Sequence, residues 1–135
     1  VIYTQATWPS VRWPNFTFTE VKCSHTGLCD VDEEFMDLLQ QVRLTYGKPM
    51  RVNSFYRHPT HPVEAAKTAP GAHTTGKAVD IGVGRGQAYV LLRLGIRHFD
   101  GVGIKQHGEG RFLHFDNVTP DDIPHIIRPT VWSYK

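Results

Sequence analysis

The chain has 135 residues, 40% of them hydrophobic and 21% charged, with a formal net charge of +2. That length supports one domain, residues 1–135, around one core, and the balance excludes a disordered chain. A charge of +2 is too small to point to nucleic acid, and no apolar run approaches the ~20 residues of a membrane span.

At the start of the chain no basic region precedes an apolar run, so no secretory signal is expected. Residues 1–20 hold Trp8, Trp13, Phe16 and Phe18 among Pro9 and Pro14, which predicts an extended segment pinned by aromatics. Pro14 cannot donate to a central ladder, so at most an edge strand is expected. Cys23 and Cys29 are too few for a disulfide framework. With His25 they lack the fourth ligand of a structural metal site, so two thiols or one short-range disulfide are expected. Asp30 or Asp32 caps a helix whose first turn carries Glu33 and Glu34. Phe35, Leu38, Leu39, Val42 and Tyr46 then recur at helical spacing until Gly47 and Pro49 stop it. A strand over 50–56 is closed by Arg57-His58-Pro59, and 61–67 is a short helical or irregular segment with Pro62 suited to a first turn.

The stretch from Gly71 to Val83 organises the rest. It begins as a loop and becomes a strand in which Val79, Ile81 and Val83 alternate with Ala78, Asp80 and Gly82. The alternation puts the branched apolar side chains on one face and Asp80 on the other, with His73 on the loop before them. After a turn at 84–86, residues 87–97 predict a second helix with Ala88, Leu91, Leu92 and Gly95 inward. Residues 100–104 predict a strand weakened by glycine, 105–110 a loop, and 111–116 a further strand that closes a hairpin with 101–104. In that last strand Leu113 and Phe115 face one way, and Phe112, His114 and Asp116 the other. Placed beside the first strand, it joins His114 to Asp80 on the open face. The tail, with prolines at 120, 124 and 129, is expected to wrap the surface.

His73, Asp80 and His114 make two imidazoles and one carboxylate, a catalytic zinc set with a fourth position left for water. His25, His58, His61, His98 and His125 are expected to be structural or surface residues. Strands and helices do not alternate regularly, which favours an α+β fold: a mostly antiparallel sheet, helices on one face and the metal site on the other.

Ser54-Phe-Tyr-Arg57, Pro70-Gly-Ala-His73-Thr-Thr-Gly76-Lys-Ala-Val-Asp80-Ile, Gly101-Val-Gly-Ile and Phe112-Leu-His114-Phe-Asp116 together resemble the M15 zinc peptidases. This group includes D-Ala-D-Ala carboxypeptidases and L-alanyl-D-glutamate endopeptidases of the hedgehog-type fold. Cys23-Ser-His-Thr-Gly27 and Gly47-Lys-Pro49 are also similar to its phage and bacterial members. The resemblance spans roughly residues 15–118. It implies zinc held by His73, Asp80 and His114, and Arg57 in contact with a substrate carboxylate or the developing oxyanion. Arg111 stands where many members place an acidic general base, and Gly71 replaces a serine often seen two before the first ligand. The base is therefore expected in the preceding loop, Glu109 ahead of His107, with Asp116 orienting a ligand. The expected activity is hydrolysis of peptidoglycan stem peptides by a monomer at the cell wall or in the periplasm. Two other readings of the same residues stay open: a zinc-retaining, inactive wall-binding module, and a structural part of a phage particle or lysis assembly.

Overall fold

Val79, Ile81, Leu113 and Phe115 meet in the middle of the computed structural model, which describes residues 1–135, and the fold is built on that meeting. Strand β4 (Ala78–Gly82) lies antiparallel to β6 (Phe112–Asp116), with Val79 opposite Phe115 and Ile81 opposite Leu113. All four side chains are buried, as their alternation requires. Strand β5 (Gly101–Lys105) forms the expected hairpin with β6, and β3 (Arg51–Ser54) flanks β4 on the other side.

The tail departs from expectation. Instead of only wrapping the surface, it supplies β7 (Thr130–Ser133), which pairs parallel to β5. The five-stranded sheet runs β3-β4-β6-β5-β7, antiparallel except at that last pair.

Two helices share the core with the sheet's inward residues. Helix α2 (Glu33–Tyr46) starts at Asp32, not Asp30: the Asp32 carboxylate accepts the Phe35 backbone N–H at 2.9 Å. Phe35, Leu39, Val42 and Tyr46 are buried, and so is Met36. The Phe35 ring meets Phe55 and Phe99 at centroid distances of 5.7 and 5.5 Å. Helix α4 (Arg85–His98) begins two residues earlier than its periodicity suggests and lies across β6, with Gly95 seated over the Phe115 ring.

The N-terminal segment is more ordered than predicted. Its aromatics are pinned as expected: Trp8, Trp13 and Phe16 are buried, and the indole N–H groups donate to the Phe16 carbonyl and the Asp37 carboxylate, each at 2.8 Å. It also holds β1 (Ile2–Tyr3), paired with β2 (Cys29–Asp30) in a separate two-stranded sheet. A one-turn helix, α1 (Phe18–Val21), is closed by a capping box between Thr17 and Glu20. The S/T-x-x-E signature of that box is present in the sequence and marks this turn. Helix α3 (Pro62–Ala65) has Pro62 in its first turn, and a 3₁₀ turn (Ala72–Thr75) replaces the loop expected around His73.

Candidate metal centre

Asp80 and His114 sit directly opposite one another in the β4–β6 register, on the face away from the core. His73 reaches the same point from its 3₁₀ turn, and its ring lies 5.1 Å from that of His114. One nitrogen or oxygen from each of the three residues falls within 4.8 Å of the others. Both histidines are buried.

The hydrogen bonds decide which nitrogens face the centre. His73 Nδ1 is 2.7 Å from the Phe55 carbonyl, which can only accept. In the neutral ring the proton therefore sits on Nδ1, and Nε2 keeps its lone pair, 3.2 Å from Asp80 Oδ2. His114 Nε2 donates to Asp116 Oδ2 at 2.6 Å. In the neutral ring this leaves Nδ1 as the free lone pair, 2.8 Å from Asp80 Oδ1. Two imidazoles are thus keyed by outer partners so that their basic nitrogens converge on one carboxylate, the donor set of a zinc ion with three protein ligands.

The electrostatics call for a cation at this point. Burial would raise the Asp80 pKa, yet hydrogen bonds from His114 and His73 hold it below the ordinary carboxylate range. Burial would lower the His114 pKa, but Asp116 and Asp80 on either side raise it instead. A proton on His114 Nδ1 then occupies the place a metal would take. Asp116 has no exposed surface; burial opposes its charge, and His114 with Arg128 nonetheless brings its pKa down to about 2.

Arg128 carries this outer partner. Its Nε and Nη2 each lie 2.8 Å from one Asp116 oxygen, a bidentate fork on a fully buried acid. The guanidinium also stands 5.1 Å over the Trp132 ring, and that ring lies 5.2 Å from His114. Trp132 is paired with Gly103 on β5, where an added Cβ would come within 2.7 Å of the indole Nε1. The bare glycine is what lets the indole approach the sheet so closely beside the ligand.

These residues floor and wall a cleft of ≈ 440 Å³. Arg57, Val63, Lys67 and Ala72 line it together with the three metal-binding residues, and Phe112, Arg128, Trp132 and Tyr134 complete it. Arg57 Nη1 is 3.2 Å from Glu64 Oε2, and Nη2 is 4.0 Å from Asp80 Oδ2. Of the expected site residues, the structure brings together His73, Asp80, His114 and Arg57. Asp116 orients His114, as expected of it.

Glu109 and His107 are not brought in. Both are exposed on the β5–β6 loop and neither lines the cleft. His107 Nε2 is 3.2 Å from the Tyr134 carbonyl, and Lys105 Nζ donates to the carbonyls of His107 and Glu109 at 3.3 and 2.6 Å. Cys23 and Cys29 are buried, unbridged and outside the metal-binding group.

Sequence reasoning missed Arg128, Trp132, Tyr134, Glu64 and Lys67. Thr130-Val-Trp-Ser-Tyr134 carries a strand alternation that could have found the aromatic wall. Nothing local to Arg128 points to Asp116.

No curated protein and no solved structure matches the sequence. The family model Peptidase M15 matches residues 14–116, a stretch that holds all three metal-binding residues and Arg57. A match over more than half of the 135 residues, with the metal-binding group inside it, establishes that the chain belongs to the M15 peptidase family.

Proposed function

We propose that the chain is a zinc-dependent peptidase that hydrolyses peptide bonds in peptidoglycan stem peptides, acting as a monomer with a hedgehog-type fold. The observation that carries the reading is the keying of both imidazoles. Phe55 and Asp116 hold His73 and His114 so that two lone pairs and the Asp80 carboxylate converge at the floor of an open cleft. His73, Asp80 and His114 would hold a zinc ion there, which would supply Lewis-acid chemistry, polarising a carbonyl and acidifying a water.

The chain's own residues supply the rest. Arg57, beside Asp80, offers Nη2 to a substrate carboxylate or to the oxygen on which charge develops. Its planar fork and permanent charge suit a carboxylate-rich cell-wall peptide. Trp132, Tyr134 and Phe112 present apolar surface along the cleft for the substrate's uncharged stretches. The proton must travel through a residue that reaches the scissile bond, and we assign this to Glu109 ahead of His107. The assignment requires the 106–110 loop to close over bound substrate; Gly108 and Gly110, at φ of 63° and 65°, flank Glu109 and provide the pivots.

The test is digestion of purified peptidoglycan by the zinc-loaded protein, with mass spectrometry of the products. New peptide termini are expected with the wild type. His114→Ala should lose both the metal and the products. The exposed placement of Glu109 and His107 favours one second reading, a zinc-retaining wall-binding module. Sedimentation with peptidoglycan and no new termini would select it.

A further inference from the structure

Arg57 is not free to choose its position. Its Nη1 is bonded to Glu64, whose side chain is only 1% exposed although it carries a charge. A carboxylate so deeply placed needs several donors, and Glu64 has three. Oε2 accepts from Arg57 at 3.2 Å and from Lys67 at 2.9 Å, and Oε1 accepts the Gly71 backbone N–H at 3.0 Å. The third bond is informative. Gly71 caps the 3₁₀ turn that carries His73. The same turn is joined to the arginine a second time, because the Arg57 N–H donates to the His73 carbonyl at 3.1 Å. One buried acid on α3 thus links the arginine beside Asp80 to the turn that delivers a metal ligand.

Two bland alternatives meet the geometry less well. A helix-surface ion pair would explain Lys67, three residues on and 43% exposed, but not the burial of its partner or the bond to Gly71. A purely stabilising staple would not need a cation aimed into the cleft, yet both Arg57 and Lys67 line it. Two cations on one anion leave a surplus positive charge on that side of the cleft.

We propose that Glu64 is a positioning residue of the peptidase: its buried carboxylate fixes the Arg57 fork next to Asp80 and sets it relative to the His73 turn. The proposal rests on the peptidase reading for what Arg57 then does, and on the hydrogen bonds alone for how Arg57 is held. Without Glu64 the guanidinium keeps its charge but loses its fixed direction, so its effect should fall on the transition state more than on substrate uptake.

Glu64→Gln, which keeps the shape and removes the charge, should retain one zinc per chain and lower kcat on a stem peptide about 10–100-fold, with KM within about threefold. A double-mutant cycle separates positioning from general weakening. In an Arg57→Met background, Glu64→Gln should change kcat by less than about twofold, because the residue it acts through is gone. Multiplying effects would overturn the proposal, as would wild-type kinetics in Glu64→Gln.

A second readout needs no turnover. In zinc-loaded protein labelled with ¹⁵N-arginine, Arg57 should give separate, slowly rotating guanidinium Nη signals that collapse in Glu64→Gln. Collapsed signals in the wild type, or unchanged ones in the variant, would refute the proposal whatever the enzyme does. Fixed signals in a protein that cleaves nothing would instead uphold the positioning and refute the peptidase reading. Should Glu64→Gln not fold, Glu64→Asp serves the same purpose, since it keeps the buried charge and shortens its reach by one methylene.

Discussion

Removing the Arg128 guanidinium should weaken both the fold and the metal centre, by amounts the geometry bounds. Arg128→Met keeps much of the aliphatic stem and deletes both the fork on Asp116 and the guanidinium over Trp132. The Asp116 side chain is 0% exposed and that of Arg128 12%, so this is a buried pair broken from one side. Such a break costs about 3–5 kcal/mol. Asp116 keeps the His114 N–H and a 3.4 Å contact from the Val118 N–H, which places the expected loss near the lower figure, about 3 kcal/mol. The lost cation–π contact adds only about 0.5–1 kcal/mol. Against a total stability of about 5–15 kcal/mol, the variant should still fold. Loss of an outer partner of a ligating histidine typically lowers metal affinity about 10–100-fold. Arg128 stands one bond further out than Asp116, so about tenfold is expected, or about 1.4 kcal/mol. Urea unfolding of the metal-free protein reads the first quantity, and competition with a chromophoric chelator reads the second. Arg128→Lys, which restores charge without the fork, should fall between. If Arg128→Met unfolds within about 0.5 kcal/mol of wild type and binds zinc within twofold, Asp116 does not depend on the fork and the reasoning fails.

Gly95→Ala should reverse the usual helix ranking. Alanine is favoured over glycine in a helix by about 1 kcal/mol, but here its Cβ would land inside the Phe115 ring, so a net loss of about 1–3 kcal/mol is expected. A more stable variant in urea would contradict the packing. Burial raises the Glu64 pKa, but Lys67, Arg57 and the Gly71 N–H together hold it below its ordinary 4.5. Its ionisation therefore stabilises the fold fully above pH 4.5 and ceases to do so as pH falls through the depressed folded value. The gap in thermal midpoint between wild type and Glu64→Gln should accordingly shrink on acidification below pH 4.5, and a constant gap would oppose this. Glu109→Gln should keep zinc and lower kcat by about 10²–10⁴-fold, with His107→Ala costing less. Full activity in both would assign proton transfer to another group and remove the loop closure from the mechanism.

The centre of this site was legible because strand parity is a strict code. Asp80 and His114 each stand between apolar residues of opposite phase, so any pairing that buries Val79 and Phe115 must put the two polar side chains on one face, and the register then sets them opposite one another. Helix α2 was legible from its cap and its spacing. What escaped has a common cause, dependence on partners distant in sequence. β7 is four residues long and follows a proline, and its partner β5 begins 29 positions earlier with no hairpin turn between them. Arg128 and Asp116 are likewise joined across an irregular segment. Glu64 reads locally as one more acid on a short exposed helix, and only the fold over it turns it into a buried one. For Glu109 and His107 the two glycines showed where the loop could bend but not which way it rests.

The two sides of the cleft stand on strands of unequal permanence. Asp80 and His114 belong to β4 and β6, each hydrogen-bonded on both sides, whereas Trp132 belongs to β7, paired only with β5. Along β7 burial alternates: Val131 and Ser133 are exposed, and Thr130 and Trp132 are half-buried. Its two ends also differ. The Arg128 fork pins the segment before it to Asp116, while beyond it the Tyr134 N–H bonds back to the Ile104 carbonyl at 3.0 Å. Local opening should therefore hinge near residue 129 and lift the aromatic wall while the ligands stay paired. In hydrogen exchange, β7 amides should lose protection at a lower opening free energy than those of β4 and β6. The cleft can then widen for a bulky peptide without the metal-binding residues moving apart.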